Sequence, residues 1–302
     1  MKLTRLNFNN RSDYILKFPK MRIKTTLILA IIFTGCINAQ SVKGKVCLDN
    51  TEQFTLASKY VAGENYIIQV GLPIGYSPTK KSYPVLYVLD GDKSFGMTKE
   101  IADWLMWSKE IKDIIVVGIS YGQGMDAWWS KRARDYTHCL DTIMAKGRFL
   151  NAGGADKFLK FVSNELFPII NKSYRTNQDS TAIMGLSFGG MLSTYTLFTH
   201  PGLFRGYIII APSLVWNNDG ILKMETEYFN NHKELDKTVY MAYGSLDSKE
   251  WIIDSTDELI KTVKTRNYQG LKFVTRVFEG ETHISVFSTA LTNGLKTVFN
   301  VK

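Results

Sequence analysis

The chain has 302 residues, 45% of them hydrophobic and 22% charged, enough to bury one sizeable core and too ordered in composition for a disordered or collagen-like chain. The formal net charge of +9 is concentrated near the start, where Lys2, Arg5, Arg11, Lys17, Lys20, Arg22 and Lys24 face one acid, Asp13, and the remainder carries 30 basic against 27 acidic residues. That distribution removes the electrostatic case for a nucleic-acid partner.

The first segment has the pattern of a targeting sequence. Arg22 and Lys24 precede the apolar run 27–33, and Ile37-Asn38-Ala39 supplies a small-residue cleavage signal. The run is shorter than the roughly 20 residues that span a bilayer. Residues 1–39 therefore read as a leader, and the protein is expected to be exported, to a periplasm or out of the cell. Phe33-Thr34-Gly35-Cys36 offers an alternative, a lipoprotein tethered to the membrane through Cys36.

Residues 41–302 read as a single α/β domain. Gln53–Ser58 and Tyr66–Gly71 alternate around Gly63-Glu64-Asn65 and predict an antiparallel pair. Tyr83–Leu89 and Ile114–Ile119 are near-continuous apolar runs, as expected for strands buried on both faces, with a helix over 98–107 between them. Ser120–Gly154 shows no clear period and reads as an insertion of loop bordering the active site. Asp156–Phe167 predicts a helix stopped by Pro168. Thr181–Met184, Tyr207–Ile210, Thr238–Tyr243 and Leu271–Phe278 predict strands, alternating with helices over 188–199, 248–266 and 284–298. The alternation implies a mostly parallel sheet with helices on both faces.

Chemistry concentrates at Gly185-Leu186-Ser187-Phe188-Gly189-Gly190. A G-x-S-x-G between a strand and a helix places a serine on a tight turn, with small neighbours that let the backbones approach and a helix N-terminus behind it. Such a serine needs a base. His283 follows the last strand in Glu279-Gly280-Glu281-Thr282-His283, whereas His200 and His232 read as solvated and His138 lies in the insertion. Asp247, after the strand over 238–243, stands between the two in chain order and is the candidate acid, with Glu250 and Asp254 as neighbours that could serve instead. The oxyanion donors are expected from the amide of Phe188 and from Gly91 in the Asp90-Gly91-Asp92 turn. Four scattered histidines offer no zinc spacing, so neither metal nor cofactor is expected. Cys47 and Cys139 either pair or remain separate thiols.

Five motifs in order carry a family likeness: Val88-Leu89-Asp90-Gly91-Asp92, Arg132-Ala133-Arg134-Asp135-Tyr136, Gly153-Gly154-Ala155-Asp156-Lys157-Phe158-Leu159, the Ser187 turn and the His283 loop. From about Phe54 to its end the chain resembles the α/β-hydrolase family that includes esterase D, feruloyl esterases and enterobactin-type siderophore esterases, most closely the siderophore branch. The resemblance implies the α/β-hydrolase fold and ester hydrolysis by Ser187 and His283, with Gly91 and Phe188 at the oxyanion. Thr137-His138-Cys139 departs from the Thr-Pro type of turn expected there and bears on the mouth of the pocket. Trp128, Trp129, Arg132 and Arg134 interleave aromatic faces with positive charge, which suits an aromatic or catecholate ester, or else holds the insertion down by internal pairing. A small-molecule ester is thus the expected substrate, with a feruloyl or acetyl ester on a polysaccharide as the alternative. Acyl transfer from the same triad, or ligand binding without turnover, are the competing activities.

Overall fold

A computed structural model describes residues 47–301 except 80, 144 and 145; the predicted leader and Cys36 lie outside the described residues. Eight strands form one sheet in the order β1-β2-β4-β3-β5-β6-β7-β8. β1 (Thr51–Ala57) and β2 (Asn65–Gly71) form the expected hairpin, and β2 runs antiparallel to β4 (Ile115–Ser120). The other pairings, among β3 (Tyr83–Val88), β4, β5 (Thr176–Leu186), β6 (Gly206–Ile210), β7 (Thr238–Gly244) and β8 (Lys272–Phe278), are all parallel.

The buried runs serve two faces at once. In β3, Tyr83, Val85 and Tyr87 point into one apolar layer while Leu86 and Val88 point into the other, the period-2 alternation of a doubly covered strand. The second layer is closed by α1 (Gly91–Trp107) through Phe95, Ala102 and Leu105, and by α8 (Val286–Val298) through Phe287, Leu291 and Leu295. The first is closed by α3 (Ala155–Phe161), α5 (Phe188–Thr199), α6 (Trp216–Asn231) and α7 (Asp254–Arg266), with Phe158, Leu192, Ile221 and Leu259 among its buried residues.

Three expectations change. The segment 120–154 is not loop throughout, because α2 occupies Met125–Tyr136. The helix expected to stop at Pro168 continues: a π-turn over Val162–Leu166 intervenes, and Pro168, which has no N–H to donate, falls directly after it in α4 (Phe167–Ser173). α6, not foreseen between β6 and β7, opens on Asn217, Asn218 and Asp219, three consecutive residues at φ 51–56°. Asn and Asp tolerate that left-handed region better than other non-glycine residues. Cys47 and Cys139 are both free thiols.

Candidate active site

Every residue singled out around Ser187 follows the C-terminal end of a parallel strand, where crevices open in sheets of this type. Ser187 leaves β5 at φ 62°, ψ −118°, a strained conformation for a residue with a side chain. The surrounding glycines make that turn feasible: a Cβ on Gly185 would stand 2.2 Å from the carbonyl carbon and oxygen of Gly189. Phe188 is the first residue of α5, so its N–H has no acceptor within the helix.

Gly91 stands in the same position at the start of α1, after Asp90 at φ 53°. The two helix starts meet, since a Cβ on Gly189 would lie 3.5 Å from Asp90 Oδ2 and from Leu89 Cβ. Two helix-start amides, from Phe188 and Gly91, thus belong to adjoining turns and are candidates to donate to an oxyanion. The Asp90 turn is fixed from behind. Asp90 N–H donates to the Tyr136 hydroxyl at 2.9 Å, and Asp92 accepts from the amides of Tyr121 and Gly122 at 2.7 and 2.8 Å.

His283 and Asp247 come together from the turns after β8 and β7. His283 Nδ1 lies 3.1 and 3.0 Å from the two carboxylate oxygens of Asp247, whose side chain is 1% exposed. Asp247 also accepts the Ser248 amide at 2.7 Å, so Nδ1 is set as the donor and Nε2 as the basic nitrogen. Glu250 sits in the π-turn Lys249–Ile253 and Asp254 at the start of α7; His283 Nδ1 bonds to neither. Ser187 Oγ makes its hydrogen bond to Ser213 Oγ at 3.2 Å, and among the described residues none joins it to His283. Bonds of this kind in ligand-free sites often tighten only when substrate is bound.

A cavity of about 370 Å³ opens here, lined by Ser213, Leu246, Asp247, Ser248, Trp251, Ile252, Thr282 and His283. Leu246, Trp251 and Ile284 are large apolar side chains left exposed around it or beside His283. None was singled out from the sequence; an exposed tryptophan one turn after the acid loop was the available signal. A larger cavity, about 650 Å³ between Trp104, Trp107 and Asp49, contains none of the site residues.

The insertion residues expected to meet substrate are also engaged within the protein. Arg132 is 2% exposed, and its guanidinium is engaged by both oxygens of Asp90 at 3.0 and 2.9 Å and by the Leu186 carbonyl at 3.4 Å. It sits within 4.7–5.6 Å of the ring centres of Trp128, Trp129, Tyr136 and Phe188. Burial disfavours its charge, but Asp90 more than offsets this and holds its pKa above the ordinary value. Arg132 therefore joins the Asp90 turn to the strand that carries Ser187. Trp128 is buried and Trp129 packs edge-on against it. Arg134 bonds to Asp135 at 2.7 and 2.9 Å and to Glu64 at 3.0 Å, fastening α2 to the β1–β2 hairpin, and lines a separate cavity. Burial raises the pKa of Asp135, against the pull of Arg134 and of the Tyr66 and Tyr121 hydroxyls. His138, in the departing turn, stacks on Tyr195 at 5.6 Å with both ring nitrogens buried and without a hydrogen-bond partner among the described residues.

A family described as "Putative esterase" matches residues 58–298. The chain belongs to this family. It is 30% identical over 233 residues to the ferri-bacillibactin esterase BesA of Bacillus subtilis (strain 168), covering 72% of this chain and 80% of that protein. It is 27% identical over 293 residues to the siderophore triacetylfusarinine C esterase of Aspergillus fumigatus, covering 84% and 94%. Among solved structures, an IroE-like serine hydrolase from Shewanella oneidensis superposes with a TM-score of 0.73 at 27% identity, covering 82% of this chain and 80% of that one. This esterase thus has the α/β-hydrolase fold and hydrolyses carboxylic esters.

Proposed function

We propose that this esterase is an exported serine hydrolase that cleaves the ester bonds of a siderophore-like aromatic or catecholate ester, with Ser187 as nucleophile, His283 as general base and Asp247 as the acid that orients it. The observation that carries the reading is the convergence of the strained Ser187 turn, the Asp247–His283 pair and two helix-start amides on the same end of the sheet. Ser187 Oγ attacks the ester carbonyl as His283 takes its proton. The carbonyl oxygen, now negative, is met by the Phe188 and Gly91 amides. His283 returns the proton to the leaving alcohol, and water repeats the cycle on the acyl-enzyme. Asp247 holds the Nδ1–H tautomer and offsets the imidazolium charge.

The exposed Trp251, Leu246 and Ile284 around the pocket favour a substrate with apolar or aromatic acyl groups. The siderophore class is supported by the substrates named for the Bacillus and Aspergillus relatives. Export rests on the pattern of Arg22, Lys24, the run 27–33 and Ala39; lipidation at Cys36 would tether the same enzyme to a membrane. The test is hydrolysis of a short p-nitrophenyl ester by residues 40–302 and by Ser187→Ala, followed by catecholate, feruloyl and acetyl esters. Turnover lost in Ser187→Ala and highest on catecholate esters is expected. Turnover surviving in Ser187→Ala refutes the mechanism, and a strict preference for polysaccharide-linked feruloyl or acetyl esters refutes the siderophore-like class.

A further inference from the structure

The turn after β6 grips the Ser187 residue at three points. The Ser187 amide donates to the Ile210 carbonyl at 3.0 Å, the Ser213 amide donates to the Ser187 carbonyl at 3.2 Å, and the two hydroxyl oxygens lie 3.2 Å apart. The turn is itself strained, with Ala211 at φ 42°. It is also pressed onto α5, because a Cβ on Gly190 would lie 2.9 Å from the Ile210 carbonyl oxygen and 3.0 Å from Pro212 Cα. The result is a second hydroxyl, 6% exposed, held against the reacting oxygen and lining the pocket that contains His283.

We propose that Ser213 is a positioning residue for the nucleophile: its hydroxyl donates to Ser187 Oγ and leaves the Ser187 proton for His283. The inference rests on Ser187 being the nucleophile. A lone hydroxyl on a strained turn has three rotamers to choose from, and the Ser213 donor selects one. During attack the Ser187 proton passes to His283 Nε2, the bond from Oγ to the carbonyl carbon forms, and the carbonyl π pair moves onto its oxygen. Negative charge builds on Oγ as its proton leaves, and the Ser213 hydrogen bond strengthens at that moment. Once Oγ is esterified its lone pairs are less basic and the bond weakens. It strengthens again when water expels Ser187 from the acyl-enzyme, so acylation and deacylation both gain.

The backbone bonds of the turn survive replacement of the Ser213 side chain, which makes the idea testable. The readouts are the rate at which a fluorophosphonate labels Ser187, kcat and KM on a p-nitrophenyl ester, and the thermal midpoint. For Ser213→Ala, labelling and kcat are each expected to fall about tenfold, with KM and the midpoint unchanged. Ser213→Thr keeps the hydroxyl and is expected to retain most of both rates, a rescue that a purely structural role would not produce. If Ser213→Ala loses its fold, Ser213→Cys, nearly the same size with a weak donor, is expected to show the same loss of rate. Labelling at the unmutated rate in Ser213→Ala, or a Ser213→Thr enzyme as slow as Ser213→Ala, overturns the role of Ser213 alone. Failure of the unmutated protein to label at Ser187 overturns the nucleophile assignment and this inference together.

Discussion

Replacing Arg132 by methionine removes the cation that joins the Asp90 turn to the Ser187 strand while keeping a side chain of similar reach. The structure sets the size of the effect. Both partners are nearly inaccessible, at 3% and 6% side-chain exposure, so the Asp90 carboxylate is left buried without its counter-charge. Breaking a buried pair from one side costs about 3–5 kcal/mol. For a domain of this length that lowers the thermal midpoint by roughly 6–20 °C. Activity should suffer separately. Asp90 precedes Gly91, and loss of one oxyanion donor through displacement of that turn lowers kcat about 100-fold. The double variant Arg132→Met/Asp90→Asn removes the stranded charge, and asparagine tolerates the left-handed backbone of position 90. It is expected to recover much of the midpoint but little of kcat. Circular dichroism melts and p-nitrophenyl ester kinetics on the three proteins read both effects. An Arg132→Met enzyme melting within about 2 °C of the unmutated protein, with unchanged kcat, refutes the view that Arg132 positions this turn.

Asp247→Asn places an amide opposite His283 Nδ1 and favours the wrong tautomer; kcat is expected to fall about 10³–10⁴-fold, with circular dichroism unchanged. His138 contributes an acid-side instability: burial lowers its pKa from the ordinary 6.5, against the opposing pull of Asp141 and Asp156. The unfolded chain therefore binds the proton more readily, and stability, complete above the unfolded value, is lost as pH falls through it toward the folded one. Thermal midpoints between about pH 5 and 7.5 should slope less in His138→Leu, and parallel slopes would show that His138 is not the group responsible. Gly185→Ala forces a methyl group against the Gly189 backbone and is expected to leave no soluble, active enzyme; a folded, active Gly185→Ala protein would contradict the packing of the Ser187 turn.

Much of this architecture was legible because the informative residues act locally. β3 and β4 are apolar runs that only a doubly covered strand makes sense of, and α5 spans residues 188–199 as its pattern predicts. Chain order and places after strands were enough to single out Ser187, Asp247 and His283, and the fold brings the last two within hydrogen-bond distance. α2 was not legible, because Asp126, Lys131, Arg132, Arg134 and Asp135 make it read as polar loop. Arg132 is buried against Asp90, and Lys131 and Arg134 are partly buried against Glu64, residues far away in the chain. The same pairing is not readable in the sequence: an arginine beside tryptophans reads alike whether its counter-ion is a ligand or a buried aspartate. α6 was hidden by its Asn-Asn-Asp-Gly opening, which carries the composition of a turn because it is one. Ser213 had no periodic or motif signal, since its relation to Ser187 exists only once β6 pairs with β5.

The loop after α2 has a consequence for how enzymes of this kind diversify. Its two ends are stitched to each other: the Gly154 amide bonds to the Arg134 carbonyl at 2.8 Å, the Ala155 amide to the Thr137 carbonyl at 3.1 Å, and the Gly153 amide to Thr137 Oγ1 at 2.6 Å. What lies between those stitches, residues 138–152, enters and leaves the domain through one doorway. Lengthening such a loop adds only about 0.6 kcal/mol per doubling, and the strands beneath it need not shift. A longer segment is therefore accommodated at small cost where its own anchors are kept, the Cys139 carbonyl on Trp216 Nε1 at 2.9 Å and the Asp141 carboxylate on the Asn217 amide at 2.8 Å, while Ser187, Asp247 and His283 lie on other turns.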